Sequence, residues 1–328
     1  MAIEAGDSAA IERAARALAA GELVAFPTET VYGLGARADD NAAVARIFAA
    51  KGRPVDHPLI VHVADAVAAR PFAAELPPPA RRLIEAFWPG PLTEIVPRAE
   101  GVAAAAAGGE STIGLRCPSH PVAQALLKAA AGCGVPGVAA PSANRFGRVS
   151  PTRAAHVHSE FGPDLLVLDG GDCEQGIEST IVDCSRGVPV LLRPGTLTRA
   201  RIEAALGEPL GEADPGAPRA SGTLEAHYAP NAKLRLMAPT MLAAALEVIG
   251  AEPIRLAVYS RTVRAARGST VVERRMPADA AQAAHDLYAA LRELAAAGVP
   301  LIWVEEPPPS PDWDGVRDRL TRAAAAHP

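Results

Sequence analysis

The chain has 328 residues, of which 49% are apolar and 21% charged, a composition typical of globular proteins and not of disordered ones. This length suggests about two domains, each large enough to bury a core. Its 32 basic and 37 acidic side chains give a formal net charge of −5, which argues against a protein that coats nucleic acid but leaves room for a local basic patch.

The sequence carries no signal for export or membrane insertion. It begins MAIEAGDSAAIERAA, with early acidic side chains and without the apolar core of a signal peptide. No apolar stretch approaches the roughly 18 residues of a membrane span. Its cysteines form no Cys-x-x-Cys pair. We therefore expect a cytoplasmic protein with buried, reduced thiols and neither disulfides nor a zinc site.

The first two hundred residues alternate short apolar strands with helical segments. Asn41 is a candidate cap for one helix and Ser119 for another that runs to about Ala131, and a short amphipathic helix is predicted over Arg81–Trp88. The predicted strands cover residues 23–26, 59–63, 112–115, 137–140, 165–168, 180–183 and 188–192. Because the alternation lacks strict βαβ regularity, we expect a mixed sheet with helices packed on it.

Residues 207–230 form a segment without apolar periodicity, containing four glycines and four prolines. So long a stretch is typical of a linker or of a functional lid. Beyond it, strands near 234–237, 254–259, 270–273 and 300–305 alternate with helices near 241–249, 279–297 and 313–325. This pattern predicts a small doubly wound unit with parallel strands.

Several common catalytic motifs are absent. The sequence contains no Gly-x-x-x-x-Gly-Lys-[Ser/Thr] loop, no His-Glu-x-x-His and no Gly-x-Ser-x-Gly, and Gly33-Leu-Gly35 lacks the third glycine of a Gly-x-Gly-x-x-Gly loop. These absences argue against a P-loop nucleotidase, a dinucleotide-binding enzyme, a zinc protease and a serine hydrolase.

Lysine is rare, since Lys51, Lys128 and Lys233 are the only three among the 32 basic residues. Lys128 lies near the outer end of a predicted helix and Lys233 opens a strand. Lys51 instead precedes Arg53 in Lys-Gly-Arg-Pro, where a mobile ammonium and a bidentate guanidinium can close on one anion. Two cations at a helix end can equally favour the helix dipole and the solvent, so the pair alone does not decide between these interpretations.

Four further segments are polar where their neighbours are apolar. Thr28, Glu29, Thr30 and Tyr32 follow the first strand, and strand ends are where α/β sites form. In the strand at 112–116, Thr112 and Arg116 lie four apart and therefore on one face. The other two segments are residues 139–152, which can form either ordinary turns or a phosphate-binding nest, and Glu178–Asp183 with Arg193.

In this order, the segments resemble the YrdC-like threonylcarbamoyl-AMP synthases in their longer two-domain form. The matching stretches are FPTETVYGLGA (26–36), KGRP (51–54), HPLIVHV (57–63), WPGPLT (88–93), TIGLRCPSH (112–120), APSANRFGRVSPT (140–152), IESTIVD (177–183), LLRPG (191–195) and HYAP (227–230). The resemblance implies an α/β fold: a YrdC-like twisted mixed sheet with a concave basic cleft at 1–206, a linker and active-site lid at 207–231, and a smaller Rossmann-like domain at 232–328.

The resemblance also implies a nucleotidyltransferase that joins ATP, L-threonine and bicarbonate into threonylcarbamoyl-AMP and releases pyrophosphate. The product serves the threonylcarbamoyladenosine modification of tRNA at position 37. ATP with Mg²⁺ is the expected co-substrate, and no protein ligand for the metal is assigned. Expected partners are threonine, bicarbonate and ATP, with tRNA and later threonylcarbamoyl-transfer proteins as further candidates.

By motif position, the resemblance assigns the catalytic nucleotide signature to Lys51, Arg53, Ser142 and Asn144. His57, Thr112, Ser150, Arg193 and Tyr228 join Arg53 and Ser142 around ATP, with Tyr228 reaching back from the linker. Binding of the substrate threonine is assigned to Thr30, Tyr32, His62, Arg116, Ala140 and Ser179, with Arg116 as the clamp for its carboxylate.

The sequence departs from the family pattern at three places. His57 stands where Asn is more frequent, Phe146 replaces a typical Ser, and Ser221-Gly-Thr-Leu replaces Ser-Pro-Gly-Met. An alternative function is an RNA-binding or ribosome-assembly module that uses the same basic cleft, although aromatic residues make up only 4% of the chain. The carbamoyl-transfer module of hydrogenase maturation proteins is a third candidate, but those chains carry Cys-x-x-Cys pairs.

Overall fold

The computed structural model describes residues 3–250 and 252–326. The chain forms two compact units. The first contains the residues through Phe146 together with Ser150–Thr223, and the second contains Gly147–Val149 together with the residues from Leu224 onward. The division therefore falls inside the segment 207–231.

The first unit is built on a ten-stranded mixed sheet with the order β1-β8-β2-β3-β7-β4-β6-β5-β9-β10. Its strands are β1 (Ile3–Ala5), β2 (Val24–Phe26), β3 (Gly33–Arg37), β4 (Ile60–His62), β5 (Leu92–Pro97), β6 (Thr112–Arg116), β7 (Val138–Ala139), β8 (Leu166–Asp169), β9 (Thr180–Asp183) and β10 (Val190–Arg193). Its helices are α1 (Ser8–Ala19), α2 (Asn41–Lys51), α3 (Ala66–Ala69), α4 (Pro78–Phe87), α5 (Pro121–Gly132), α6 (Ala154–Phe161) and α7 (Arg199–Leu206). The predicted mixed α/β sheet is confirmed.

Two apolar clusters enclose this sheet. Leu166 and Leu168 of β8 belong to the cluster that α1 and α5 complete, whereas Val167 belongs to the larger cluster that includes α2, α4 and α7. Alternate residues of a strand face opposite sides of its sheet, so the sheet carries a core on both faces. This burial leaves the loops at the strand ends as the places for polar side chains.

Both helix caps predicted from the sequence are wrong by one residue. The Asp40 carboxylate, not Asn41, accepts from the backbone at the start of α2, and the His120 ring, not Ser119, accepts from Val122 N at the start of α5. Asn41 Oδ1 instead accepts from Ala105 N at 3.3 Å. Which residue caps a helix depends on where the backbone enters the helix. The sequence alone does not reveal that point when adjacent residues can both act as caps.

Strand β3 was not predicted, because its sequence Gly-Leu-Gly-Ala-Arg reads as a turn. It pairs antiparallel with β2, Val24 opposite Gly35. A Cβ atom at Gly35 would lie 2.8 Å from Val138 and 2.9 Å from Phe26. The glycine therefore permits close packing within the sheet, and it is not the mark of a loop.

The second unit contains a four-stranded parallel sheet with the order β11-β14-β12-β13. Its elements are β11 (Lys233–Met237), α8 (Pro239–Ile249), β12 (Leu256–Ser260), β13 (Val272–Arg275), α9 (Ala280–Ala296), β14 (Leu301–Glu305) and α10 (Asp314–Ala325). The predicted parallel unit is confirmed. Within residues 3–250 and 252–326, no helix is long and apolar enough to cross a membrane.

Candidate functional site

The residues assigned to threonine converge at the ends of β2, β4 and β6 in the first unit. Thr30 is fully buried, and its hydroxyl lies 2.9 Å from that of Thr28 in the turn between β2 and β3. His62 pairs with Arg116 across β4 and β6. Ala140 follows β7 and its backbone N donates to Ile60 O at 2.9 Å. The sheet register thus brings together residues that are far apart in the sequence.

Arg116 is fixed by a buried ion pair. Its Nη2 lies 2.7 Å from Glu29 Oε1, and both side chains are nearly inaccessible to solvent. The second Glu29 oxygen accepts from Ser119 N at 3.1 Å, and Arg116 Nε donates to Gly90 O at 3.4 Å. These contacts hold two edges of the guanidinium and set the direction of the remaining N–H donors.

His62 is a neutral side chain in this site. Burial, followed by the nearby Arg116 guanidinium, lowers the pKa of His62 to about 3. Its Nδ1 lies 3.3 Å from Ile60 O, and its ring meets Phe26 edge-on. At neutral pH the imidazole therefore contributes hydrogen bonding and shape and carries no charge.

Ser179 connects the threonine residues with Arg193. Its hydroxyl lies 2.7 Å from that of Thr93 on β5. Arg193 is buried at the end of β10, and its Nε and Nη2 donate to Ser179 O at 3.1 and 2.9 Å. A guanidinium held by two bonds to one backbone carbonyl has a fixed plane, and Arg193 is accordingly not a solvated strand-end arginine.

Lys51 is not a mobile cation in this structure. It is the last residue of α2, with 3% of its surface exposed. Its Nζ donates to Ser142 O at 2.6 Å and makes a short hydrogen bond to Asn144 O. Burial, followed by Arg53, lowers the pKa of the ammonium well below its usual value. Lys51 thus ties the end of α2 to the Ser142–Asn144 loop.

Further hydrogen bonds fix this loop and the residues that follow it. The Asn144 amide donates to Arg145 O at 2.7 Å, and Phe146 N donates to Lys51 O at 2.9 Å. Ser150, also fully buried, donates from its hydroxyl to Glu178 Oε1 at 2.5 Å. Hydrogen bonds thus join Lys51 to the loop at 142–146 and, separately, Ser150 to Glu178.

Residues of the segment after α7 cover the assigned nucleotide residues. Arg193 Nη1 donates to Ser221 O at 2.6 Å, and Arg53 Nη2 lies 3.4 Å from Ser221 Oγ. Arg219 forms ion pairs with Asp56 at 2.9 Å and Glu110 at 2.6 Å. A small cavity between residues 219–221 and the strand residues Thr93, Thr112 and Gly114 has a volume of about 10 Å³. That space holds about one water molecule.

The two assigned tyrosines are both buried. The Tyr32 hydroxyl donates to Gly171 O at 2.8 Å, and burial raises its pKa above the usual value. Its polar end is thus engaged with the loop after β8. Tyr228 belongs to the second unit, where its ring stacks on Tyr288 at 5.7 Å and Arg319 lies over it at 5.3 Å.

Three polar residues of this region were not assigned from the sequence. Thr93 contacts Ser179, Glu29 holds Arg116, and Glu178 accepts from Ser150. Each lies inside one of the stretches that match the family. The sequence signal for a site role was a polar side chain among apolar neighbours. The described residues contain no group of three or more His, Cys, Asp or Glu side chains that could hold a metal ion. Cys117, Cys173 and Cys184 are buried as expected, but Cys133 is exposed, against the prediction.

Comparison with known families gives two matches that together cover most of the chain. The Sua5/YciO/YrdC family model, described as "Telomere recombination", matches residues 16–195. A second model, described as "Threonylcarbamoyl-AMP synthase, C-terminal domain", matches residues 197–325.

Two curated relatives are threonylcarbamoyl-AMP synthases. The threonylcarbamoyl-AMP synthase of Pyrococcus abyssi is 45% identical over 221 residues, 65% of this chain and 64% of the relative. That of Bacillus subtilis is 44% identical over 233 residues, 69% of this chain and 66% of the relative. The aligned part thus spans slightly less than two thirds of each relative.

A solved structure matches nearly the whole fold. The crystal structure of P. abyssi Sua5 complexed with L-threonine has a TM-score of 0.87 and 35% identity, with coverage of 96% of this chain and 94% of that one. A variant of the same protein, with an adjacent His and Tyr replaced by Ala, has a TM-score of 0.85.

Proposed function

The chain belongs to the Sua5/YciO/YrdC family, and we infer that it is a threonylcarbamoyl-AMP synthase. Its reaction joins ATP, L-threonine and bicarbonate into threonylcarbamoyl-AMP and releases pyrophosphate. The observation that carries the proposal is that four cations within the family motifs, Lys51, Arg53, Arg116 and Arg193, are buried. The P. abyssi relative with bound threonine supports the choice of amino acid.

The chemistry requires positioning and charge neutralisation and no covalent intermediate. The threonine amine and bicarbonate yield a carbamate with loss of water, and a carbamate oxygen attacks the α-phosphorus of ATP. The bond to the β-phosphate oxygen breaks, and pyrophosphate leaves with that electron pair. Fixed guanidinium groups stabilise the charge that develops on the phosphates. A nucleophilic Ser or Cys is not needed.

Threonine is proposed to bind among Thr30, His62, Arg116 and Ser179, with the Ala140 backbone and Tyr32 completing the pocket. Arg116 would clamp the carboxylate, since Glu29 and Gly90 O hold its Nη2 and Nε and leave Nη1 without a protein partner among the described residues. Neutral His62 and the Thr30 and Ser179 hydroxyls suit an amino acid that carries its own hydroxyl.

ATP is proposed to bind beside Arg53, Thr112 and Arg193, at the loop that carries Ser142, Asn144 and Ser150. His57 and Tyr228 are the remaining residues proposed to bind ATP. Lys51 would act through the loop, because its ammonium is already engaged with two of the loop carbonyls. The loop amides and Arg53 would then face the phosphates directly.

The segment 207–231 is proposed to be the lid between a catalytic domain at 1–206 and a smaller domain at 232–328. Residues 219–221 lie over Thr93, Thr112 and Gly114, and they would move when ATP binds beside Thr112. Closure after binding would exclude water, which hydrolyses both the carbamate and the mixed anhydride. Tyr228, from the far end of the segment, would cover the nucleotide.

Mg²⁺ is proposed to arrive with ATP. Because no cluster of candidate ligands occurs among the described residues, the ion would be held by phosphate oxygens and water, and no step is assigned to protein-bound metal. A cytoplasmic location and delivery of the product towards tRNA are further parts of the proposal.

The alternative, an RNA-binding module that uses the same cleft, is less well supported. A polyanion needs cations that it can reach, whereas Lys51, Arg53, Arg116 and Arg193 are each at most 8% exposed. Enclosed cations suit small ligands that enter a closed site.

Thermal stability tests the proposal. Threonine added together with a non-hydrolysable ATP analogue should raise the melting temperature more than either alone, while serine should raise it less. If neither threonine nor the analogue shifts the melting temperature at millimolar concentration, the proposed function is wrong.

A further inference from the structure

An aromatic side chain lies directly against the Arg53 guanidinium. The Cζ atom of Arg53 is 5.6 Å from the centroid of the Phe146 ring. Phe146 also donates its backbone N–H to Lys51 O, which places it beside the end of α2. The ring is therefore anchored through its backbone to the helix from whose end Arg53 projects.

A second ring braces the first. His57 meets Phe146 with 5.5 Å between centroids and an interplanar angle of 68°, an edge-to-face arrangement. His57 N donates to Pro54 O at 3.2 Å, so the imidazole sits on a tight turn after Arg53. Burial, followed by Arg53, lowers the pKa of His57, which keeps the ring neutral beside the cation at neutral pH.

The contact between Arg53 and Phe146 fixes the guanidinium in a particular way. Arg53 Nη2 donates to Pro58 O at 3.0 Å, which sets one edge of the group. The ring face lies against the flat side of the guanidinium and so fixes its plane. The N–H groups point outward within that plane, and the ring accepts none of them. A polar side chain in place of the ring would instead take up a donor. Stacking thus orients the arginine without taking up any of its N–H donors.

We propose that Phe146, braced by His57, is a positioning residue that holds Arg53 in the orientation required for ATP binding. This inference rests on the proposed function. A cation–π contact at a partly desolvated site corresponds to about a 2- to 30-fold change in affinity. Loss of the aromatic face should therefore weaken ATP binding by this factor and leave threonine binding unchanged.

The test compares Phe146→Leu with Phe146→Tyr. The leucine variant keeps an apolar side chain without a π face, and the tyrosine variant keeps the ring. Calorimetric binding of a non-hydrolysable ATP analogue and the KM and kcat for pyrophosphate release are measured for each. We expect Phe146→Leu to raise Kd and the KM for ATP about 2- to 30-fold with little change in kcat, and Phe146→Tyr to remain within about twofold of the unmodified protein.

A matched control is Phe87→Leu, because Arg201 lies over Phe87 at 5.9 Å in a comparable pair between α4 and α7. This variant should leave the KM for ATP unchanged. The double variant His57→Ala/Phe146→Leu should weaken ATP binding by less than the product of the two single effects, since part of the effect of His57 passes through the ring.

Two results separate the inference from the proposed function. If the unmodified protein binds the analogue and Phe146→Leu binds it equally well, or if the tyrosine and leucine variants are equally impaired, the positioning role is wrong while the synthase assignment stands. If the unmodified protein does not bind the analogue, both are wrong.

Discussion

Replacing Lys51 by Met tests whether this lysine holds the Ser142–Asn144 loop or only contacts a ligand. Methionine has a similar length but no donor, so the variant leaves two buried carbonyls without their ammonium. Each orphaned carbonyl costs about 1–3 kcal/mol, and relief of the buried charge offsets part of the sum. We expect the free energy of unfolding to fall by about 2–4 kcal/mol, with a melting temperature lower by about 5–10 °C.

Thermal unfolding measures the loss of stability, and calorimetric binding of an ATP analogue measures the loss of affinity. We expect at least about a tenfold weaker affinity for the analogue, which corresponds to about 1.4 kcal/mol, because the loop loses its anchor. Lys128→Met is the control, since Lys128 is exposed on α5 and its loss should change stability by less than about 0.5 kcal/mol. A Lys51→Met protein that is as stable as the unmodified one but does not bind the analogue would refute the anchoring role.

Three further outcomes follow from the geometry. Glu94 on β5 is fully buried with neither carboxylate oxygen hydrogen-bonded, and burial raises its pKa well above the usual value. Because the unfolded carboxyl ionises near pH 4.3 while burial holds the pKa of the folded one well above its usual value, Glu94→Leu should stabilise the protein more at pH 7 than at pH 5, by up to about 1.4 kcal/mol per pH unit. An equal gain at both pH values in chemical denaturation would contradict this. Arg116→Lys should raise the KM for threonine about tenfold and leave that for ATP unchanged, since an ammonium cannot bind Glu29 and a carboxylate in the same fork geometry; equal effects on both constants would argue against the clamp. His62, with a pKa of about 3, should produce no inflection in threonine affinity between pH 5 and 7, which calorimetry across that range checks.

Much of the fold could be predicted because hydrophobic alternation and turn residues mark the elements. The strand at Thr180–Asp183 was predicted with its observed bounds, and every strand of the parallel sheet at β11–β14 was predicted within two residues. Strand β3 was missed because Gly33 and Gly35 suggest a turn, and only the packing against Val138 reveals why glycine is required there.

The site residues were easier to select than their interactions. Sequence position assigned Lys51 to the nucleotide, but its engagement with two loop carbonyls depends on a fold contact across about ninety residues, which no local pattern encodes. Glu29 as the partner of Arg116, and Thr93 as the partner of Ser179, are pairs across the sheet of the same kind. Glu29 lies in the turn after β2 and Ser179 directly precedes β9, so the arrangement of the strand ends, and not composition, brings these pairs together.

His57 and Phe146, which depart from the family pattern, show the same limit of prediction from sequence. In the sequence they are two unrelated changes from a family pattern, one after a helix and one in a loop. In the structure their rings touch each other, and Arg53 lies over the second ring. A pair of this kind becomes visible only when the tertiary contact is known.

The most direct test of the synthase assignment is pyrophosphate release by the purified protein with ATP, Mg²⁺, L-threonine and ¹⁴C-bicarbonate. We expect release that requires both threonine and bicarbonate, with the label appearing in an adenylate in equal amount to the pyrophosphate. Pyrophosphate release that is independent of threonine, or no release when all components are present, would contradict the assignment.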